Sequence, residues 1–162
     1  MFNDRVDDFL SQLKMTEATQ DSDAIQSKFE MVFKDFKKGV SESNIRSLYA
    51  DTFYFNDTFK TITDIDQLVA YMTETAEQVE TTKVEIIDVA KGKSDYYLRW
   101  VMHMKFKAKG RQVDSRSIGM TQIRLNAEGK IILHQDYWDG VEGFYQHLPY
   151  IGYFVRKVRD SL

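Results

Sequence analysis

Hydrophobic positions recur at helical spacing through the first half of the chain and alternate through the second. Phe2, Val6, Phe9, Leu10 and Leu13 predict a short amphipathic helix, with a polar loop over residues 16–23 behind it. Ile25, Phe29, Val32, Phe33 and Phe36 predict a stronger second helix, and Gly39 is placed to close it. Ser41 can cap a third, short helix carrying Ile45, Leu48 and Tyr49. Residues 51–57 are aromatic and read as a strand. Thr63 and Asp66 have capping-box spacing ahead of a helix through Ile65, Leu68, Val69, Met72, Ala76 and Val79.

After residue 80 the period changes from 3.6 to 2. Strands are predicted at 82–90, 95–108, 111–126 and 130–138, with turns at Gly110 and at Asn126-Ala127-Glu128-Gly129. A tail from Gly140 is split by Pro149 into two helical pieces. Helices followed by an antiparallel meander define an α+β fold with one sheet face under the helices. One domain over residues 1–162 is expected, with 1–20 a helical extension and 140–162 a helical tail.

Alternation also assigns the faces. Tyr96, Leu98, Trp100, Met102, Met104 and Phe106 form an unbroken apolar row, so that row is the inner one. In the next strand Val113, Ser115, Ser117, Gly119, Thr121, Ile123 and Leu125 face the same way, and the small middle residues suggest a space. In the last strand Ile132, His134, Asp136 and Trp138 share a face. Two ionisable groups between apolar ones are costly to bury unless they are paired or serve a ligand. On the outer face Val101, Ile118, Met120, Ile131, Leu133 and Tyr137 mix with Arg99, His103, Arg116 and Gln122, as an interface would. A homodimer through that face is expected, with the tail folding over it as the alternative.

Composition narrows the function. The net charge of −3, with both signs interspersed, argues against an electrostatic nucleic-acid binder. With no cysteine there is no thiol chemistry and no disulfide. No run of about 18 apolar residues predicts a membrane span, and the acidic start lacks a signal-peptide core, so a cytoplasmic protein is expected. His103, His134 and His147 lack metal-site spacing, and no phosphate loop or nucleophile elbow occurs, so neither metal nor cofactor is expected. Aromatic residues at 14% exceed what a small core needs and suit a cavity wall or an interface. Phe144, Tyr145, Leu148, Tyr150, Ile151, Tyr153 and Phe154 are expected to close a pocket mouth or join a dimer. The cluster Arg156, Lys157 and Arg159 is short for a membrane-surface role.

Three stretches resemble the NTF2-like superfamily, in particular its SnoaL-like polyketide cyclases and ketosteroid isomerases. Leu48-Tyr49-Ala50-Asp51-Thr52-Phe53-Tyr54-Phe55-Asn56-Asp57 looks like the family's helix-to-strand passage. Ile123-Arg124-Leu125-Asn126-Ala127-Glu128-Gly129-Lys130-Ile131 is similar to its hairpin, and His134-Gln135-Asp136-Tyr137-Trp138-Asp139 to its last strand end. Their order over roughly residues 22–145 implies a curved antiparallel sheet wrapped by N-terminal helices into a cone with an internal pocket. Asp57 falls on the general base of the isomerases. Their oxyanion-hole tyrosine falls on Phe33 and their protonated aspartic acid on Thr121, so the resemblance does not carry steroid isomerisation.

The expected function is binding of a small apolar molecule, with cofactor-free proton transfer as the chemistry: isomerisation, cyclisation, or addition and loss of water. Asp57 is the candidate base; alternatively it is a strand-end carboxylate capping the loop at Thr58. His134 and Asp136 are the acid or orienting pair, or else a satisfied pair using Ser117, Thr121 or Tyr96. Phe33, Phe55, Trp100, Met102, Met104, Ser117, Thr121 and Trp138 are expected to line the pocket. The rival expectation is a non-catalytic dimeric module for ligand or protein binding.

Overall fold

A computed structural model describes residues 25–162, together with Ser11 and Met15. The helix expected over residues 2–13 and the loop at 16–23 lie outside the described residues. The helices are α1 (Ile25–Phe33), α2 (Phe36–Gly39), α3 (Glu42–Leu48), α4 (Ile65–Gln78), α5 (Gly140–Gly143) and α6 (Ile151–Arg159). The strands are β1 (Tyr49–Asn56), β2 (Thr61–Ile62), β3 (Val79–Lys91), β4 (Tyr96–Ala108), β5 (Arg111–Leu125) and β6 (Ile131–Trp138). They form one open, curved sheet in the order β2-β1-β6-β5-β4-β3. The meander β3 to β6 is antiparallel as expected. The sheet as a whole is mixed, because β1 joins β6 in parallel. That pairing brings the end of β1, and with it Asp57, beside the end of β6.

The helical boundaries differ from the periodicity at two places. Residues 25–39 are not one helix: the chain leaves α1 after Phe33, and Asp35 bridges to Lys83 while the Val84 N–H donates to the Lys34 carbonyl at 3.2 Å. Gly39 is therefore not a left-handed cap. A Cβ there would sit 2.4 Å from the carbonyl oxygens of Met31 and Val32, so glycine permits α2 to fold back on α1. Before α4 the cap is Asp64, which accepts from the Gln67 N–H at 2.9 Å. Asp66 instead faces Arg46, at 2.5 Å. Ser41 caps α3 as expected, accepting from the Asn44 N–H at 3.2 Å. The turns also follow their glycines: Gly110 and Gly129 both hold positive φ, 78° and 73°.

The core forms where the apolar stripes of α1, α3 and α4 meet the inner row of the sheet. Ile25, Phe29, Val32, Ile45, Leu48, Leu68 and Met72 pack against Tyr96, Leu98, Ile123, Leu125 and Ile131. Each fully buried aliphatic or aromatic side chain contributes roughly 1.5–3 kcal/mol. A smaller cluster of Val79, Phe106, Ala108 and Val113 packs with Met104, Phe144 and Leu148.

Two inner-face expectations are corrected. The β5–β6 register shifts between Arg124 and Leu125, so Leu125 pairs with Ile131 and Arg124 with Leu133. Ile131 joins the core, and Ile132 lines a surface groove with Ala50, Asp51 and Lys130 instead of sharing the face of His134. The small middle of β5 is not open either. Gly119 pairs with Trp100 on one side and Trp138 on the other. Both aromatic side chains crowd the place of its missing Cβ. Gly143 of α5 seats on Ser117 in the same way, 2.9 Å from its hydroxyl oxygen by the same measure.

The outer face is less apolar than its sequence suggested. Leu133, Ile131 and Gln122 are buried, leaving Ile118 and Tyr137 as the exposed large hydrophobic side chains among the outer-face residues expected from sequence. Gln122 belongs to a network that sequence reasoning missed. Asp95 accepts from Arg124 Nε at 2.5 Å, from Arg124 Nη2 at 3.1 Å and from Gln122 Nε2 at 2.7 Å. Both members of the ion pair are buried. The signal was present as an arginine inside the hairpin motif, but its partner lies in the turn before β4.

Candidate functional site

The inner ends of β1, β5 and β6 carry a chain of polar side chains across an otherwise apolar face. In the sheet, Leu98, Thr121 and Asp136 are neighbours on one rung, and Ile123, His134 and Phe55 on the next. The Trp100 indole N–H donates to Thr121 Oγ1 at 2.9 Å. An indole can only donate, so the Thr121 hydroxyl is left to donate onward, to Asp136 Oδ1 at 2.6 Å. From the other side, the Tyr49 hydroxyl lies 2.8 Å from His134 Nδ1, and His134 Nε2 lies 3.0 Å from the same Asp136 oxygen. With Tyr49 donating to Nδ1, the imidazole carries its proton on Nε2 and donates it to the carboxylate. Two chains of donors thus end on Asp136 Oδ1. Its other oxygen has no hydrogen bond among the described residues.

Depth separates the two members of the pair. The His134 side chain is 1% exposed and that of Asp136 18%. The imidazole is enclosed by the rings of Phe55 and Phe33, at 4.8 and 5.8 Å between centroids, and by Phe29 and Tyr49. His134 is thus the enclosed member of the pair, and Asp136 is the one that reaches accessible space.

Asp57 sits in the loop after β1. Its Oδ1 accepts from the backbone N–H groups of Phe59 and Lys60, at 2.9 and 2.8 Å, so it caps that loop. Its Oδ2 accepts from the Tyr71 hydroxyl on α4. Trp138 fixes the same loop, its indole N–H donating to Thr58 Oγ1 at 2.7 Å. The structure thus places Asp57 and Asp136 at neighbouring strand ends but joins only His134 and Asp136 directly. Tyr49 and Tyr71 are the residues that sequence reasoning missed. Tyr71 flanks the stripe of Leu68 and Met72, and its position three residues after Leu68 was the available sign.

The electrostatics follow from this arrangement. Burial first, then the charges of Asp136 and Asp57, holds the Tyr49 phenol well above the ordinary tyrosine range. Burial, then the charge and hydrogen bond of Asp57, then Asp136, raises Tyr71 likewise. Both phenols stay protonated donors in a field set by two carboxylates. Among the described residues, no group of three or more histidine, aspartate or glutamate side chains is disposed to hold a metal.

The remaining expected wall residues divide. Trp100 and Thr121 belong to the donor chain, Phe33 and Phe55 wall in the imidazole, and Met102 and Met104 are partly exposed on the inner face. The Ser117 hydroxyl is buried under Gly143 with no hydrogen-bond partner among the described residues. The tail also divides. Phe144 packs on Phe59 and Phe106, at 5.2 and 5.5 Å, and Tyr145 on Phe59 at 6.0 Å. Tyr150, Ile151, Tyr153 and Phe154 remain exposed.

Helices closed over a curved sheet, with ionisable groups gathered on an aromatic inner face, define the NTF2-like class. The chain belongs to the SnoaL-like domain family, whose model matches residues 32–134. Solved structures share the fold. A ketosteroid isomerase-like protein from Catenulispora acidiphila DSM 44928, in complex with trimethylamine, superposes with a TM-score of 0.65 and 17% identity, over 80% of this chain and 96% of that one. A protein described as a SnoaL-like polyketide cyclase from Shewanella denitrificans OS-217 gives 0.63 and 12%, over 75% and 94%. An LEH-like epoxide hydrolase from M. tuberculosis gives 0.56 and 12%, over 73% and 84%. No curated protein matches the chain.

Proposed function

We propose that the domain binds a small, largely apolar molecule against the inner face of the sheet, with Asp136 as its polar anchor. The observation that carries this is the half-occupied carboxylate: one oxygen held by Thr121 and His134, the other unclaimed and accessible. A carboxylate held in this way accepts only, so it selects a ligand that offers an O–H, an N–H, an ammonium or an acidic C–H. The trimethylamine bound by the relative from Catenulispora acidiphila belongs to that chemistry. Where the domain acts on its ligand, Asp136 is the base and the chemistry is proton transfer. The His134–Tyr49 pair steadies the charge, and the Tyr71 phenol is the donor on the facing wall. Asp57 positions Tyr71. A non-catalytic binder would use the same anchor without turnover.

Titration of the protein with 2-naphthol and with 2-methoxynaphthalene tests the anchor. The two share an apolar body, and only the first carries an O–H. The Trp100 indole N–H resonance, one bond from the relay, reports occupancy. We expect naphthol to bind about tenfold more tightly, the worth of a hydrogen bond to a charged group, and the preference to fall in Asp136→Asn. Equal affinity for the two probes, or an unchanged preference in the variant, overturns the assignment.

We also infer a homodimer through the outer sheet face. Ile118 at 65% exposed and Tyr137 at 41% stand there beside Arg99, His103 and Arg116. Light scattering should give twice the chain mass, and Ile118→Glu should give the monomer.

A further inference from the structure

Helix α6 is mounted in reverse. Its apolar stripe is Ile151, Phe154, Val155 and Val158, at i, i+3, i+4 and i+7. A surface helix ordinarily turns such a stripe inward. Here the side facing the body is Gly152, Arg156 and Arg159. A Cβ on Gly152 would lie 2.2 Å from the Gln146 carbonyl oxygen. Arg156 donates to that carbonyl, and Arg159 Nη1 donates to the Gln146 side-chain oxygen at 3.1 Å. Val155 is half-buried and the rest of the stripe is left outward, with Ile151 51%, Phe154 65% and Val158 60% exposed, flanked by Tyr150 at 76% and Tyr153 at 58%.

A second element adds charge of one sign. The tip of the β4–β5 hairpin carries Lys107 near the end of β4, Lys109 in the turn and Arg111 at the start of β5, with no acidic residue among residues 107–111. Lys109 Nζ lies 5.1 Å from the centre of the Tyr150 ring, which puts that turn beside the start of α6. The basic cluster of the tail, short in sequence, is thereby extended by residues more than forty positions earlier. This basic, greasy corner stands on a chain whose net charge is −3.

We propose that α6 and the β4–β5 turn dock the domain on an anionic lipid surface. The stripe enters the headgroup boundary, and Lys107, Lys109, Arg111 and Lys157 lie over the headgroups. An apolar face ringed by cations matches a negative surface. A second copy meeting it face to face would bring the same cations together. No helix among the described residues is long and apolar enough to cross a membrane, so the contact is interfacial. The sequence expectation of no membrane contact rested on the tail's own cluster, before the turn was placed beside it.

Flotation of the full chain with vesicles tests this. One set is phosphatidylcholine alone and the other contains phosphatidylserine. We expect binding to the anionic vesicles only, weakening as salt is raised. Phe154→Ser with Val158→Ser should reduce it at least about tenfold, as should Lys107→Gln with Lys109→Gln and Arg111→Gln. All five positions are exposed, on a helix face or at a hairpin tip, and circular dichroism checks that both variants fold. Equal binding to both vesicle types, or anionic binding unaltered in either variant, overturns the proposal. So does self-association without lipid that the Phe154 and Val158 changes abolish, since a second copy would then be the occupant. None of these outcomes touches the Asp136 anchor, whose test is separate.

Discussion

Replacing Gly119 by alanine asks whether the middle of the inner face is solid or hollow. The added Cβ would lie 2.3 Å from Cη2 and 2.6 Å from Cζ2 of Trp100, and 2.7 Å from Cβ of Trp138. Carbon pairs rest at about 3.5–4.0 Å, so the indole must move by roughly 1 Å. It is tethered, because its N–H donates to Thr121 at 2.9 Å. Overpacking of this kind costs about 1–3 kcal/mol, and a strained or lost hydrogen bond about 1 kcal/mol more. The sum, about 2–4 kcal/mol, is a large part of the roughly 5–15 kcal/mol that holds a domain together. At this chain length it should lower the melting temperature by roughly 5–12 °C. Calorimetry measures the drop, and a double-mutant cycle assigns it. Trp100→Phe removes the atoms that clash, so in the double variant alanine should cost much less, with a coupling of at least about 1 kcal/mol. A melting temperature within about 1 °C of the parent would show an open space at Gly119. Additive costs would show that the indole is not the obstacle. Either result refutes the packing described here, and with it the seat of the Thr121–Asp136 chain.

Two further outcomes follow from the same structure. Asp95→Ala leaves the buried Arg124 guanidinium without its carboxylate and should cost about 3–5 kcal/mol in urea denaturation. Asp88→Ala breaks the exposed pair with Arg99, at 2.8 Å, and should cost less than about 1 kcal/mol; near-equal losses would contradict the burial. In alkaline solution Tyr49, Tyr71 and Tyr137 should ionise above the ordinary tyrosine range, Tyr137 being pushed up to about 12 chiefly by burial and then by Tyr97, Tyr54 and Asp95. The folded state then binds more protons than the unfolded state above the ordinary value of about 10. Their contribution is whole below that pH and is lost as pH rises through the folded values. Urea melts at about pH 9 and about pH 11 should show a smaller loss with pH in Tyr137→Phe than in the parent, and an equal loss would refute the shift.

Much of the fold was legible because its signals are local. The β4 row from Tyr96 to Phe106 could face only inward, and Gly110 and Gly129 marked turns that need positive φ. What escaped depended on distant partners. Nothing within residues 25–39 announces that Asp35 will leave a helix to bridge Lys83. Gly39 looks like a cap in sequence, and only the fold-back onto α1 shows that it is spared a Cβ. The bulge near Ile131 moved one residue between faces, and strict alternation cannot register an insertion.

The site shows the same division more sharply. Strand parity put His134 and Asp136 on one face, and they are hydrogen-bonded there. Parity carries no information on depth, which is decided by the helices laid across the face. α1 brings Phe29 and Phe33 over the imidazole, while the carboxylate two residues on stays partly exposed. Direction also needed the fold. Trp100 and Tyr49 are far apart in sequence, yet one can only donate and the other is held protonated by burial and two carboxylates. The indole fixes the direction of its branch toward Asp136, and with Tyr49 donating to Nδ1 the other branch runs the same way. A search for catalytic side chains by type alone selects the histidine. Following the donors outward from the Trp100 indole, which cannot accept, leads to the carboxylate beside it.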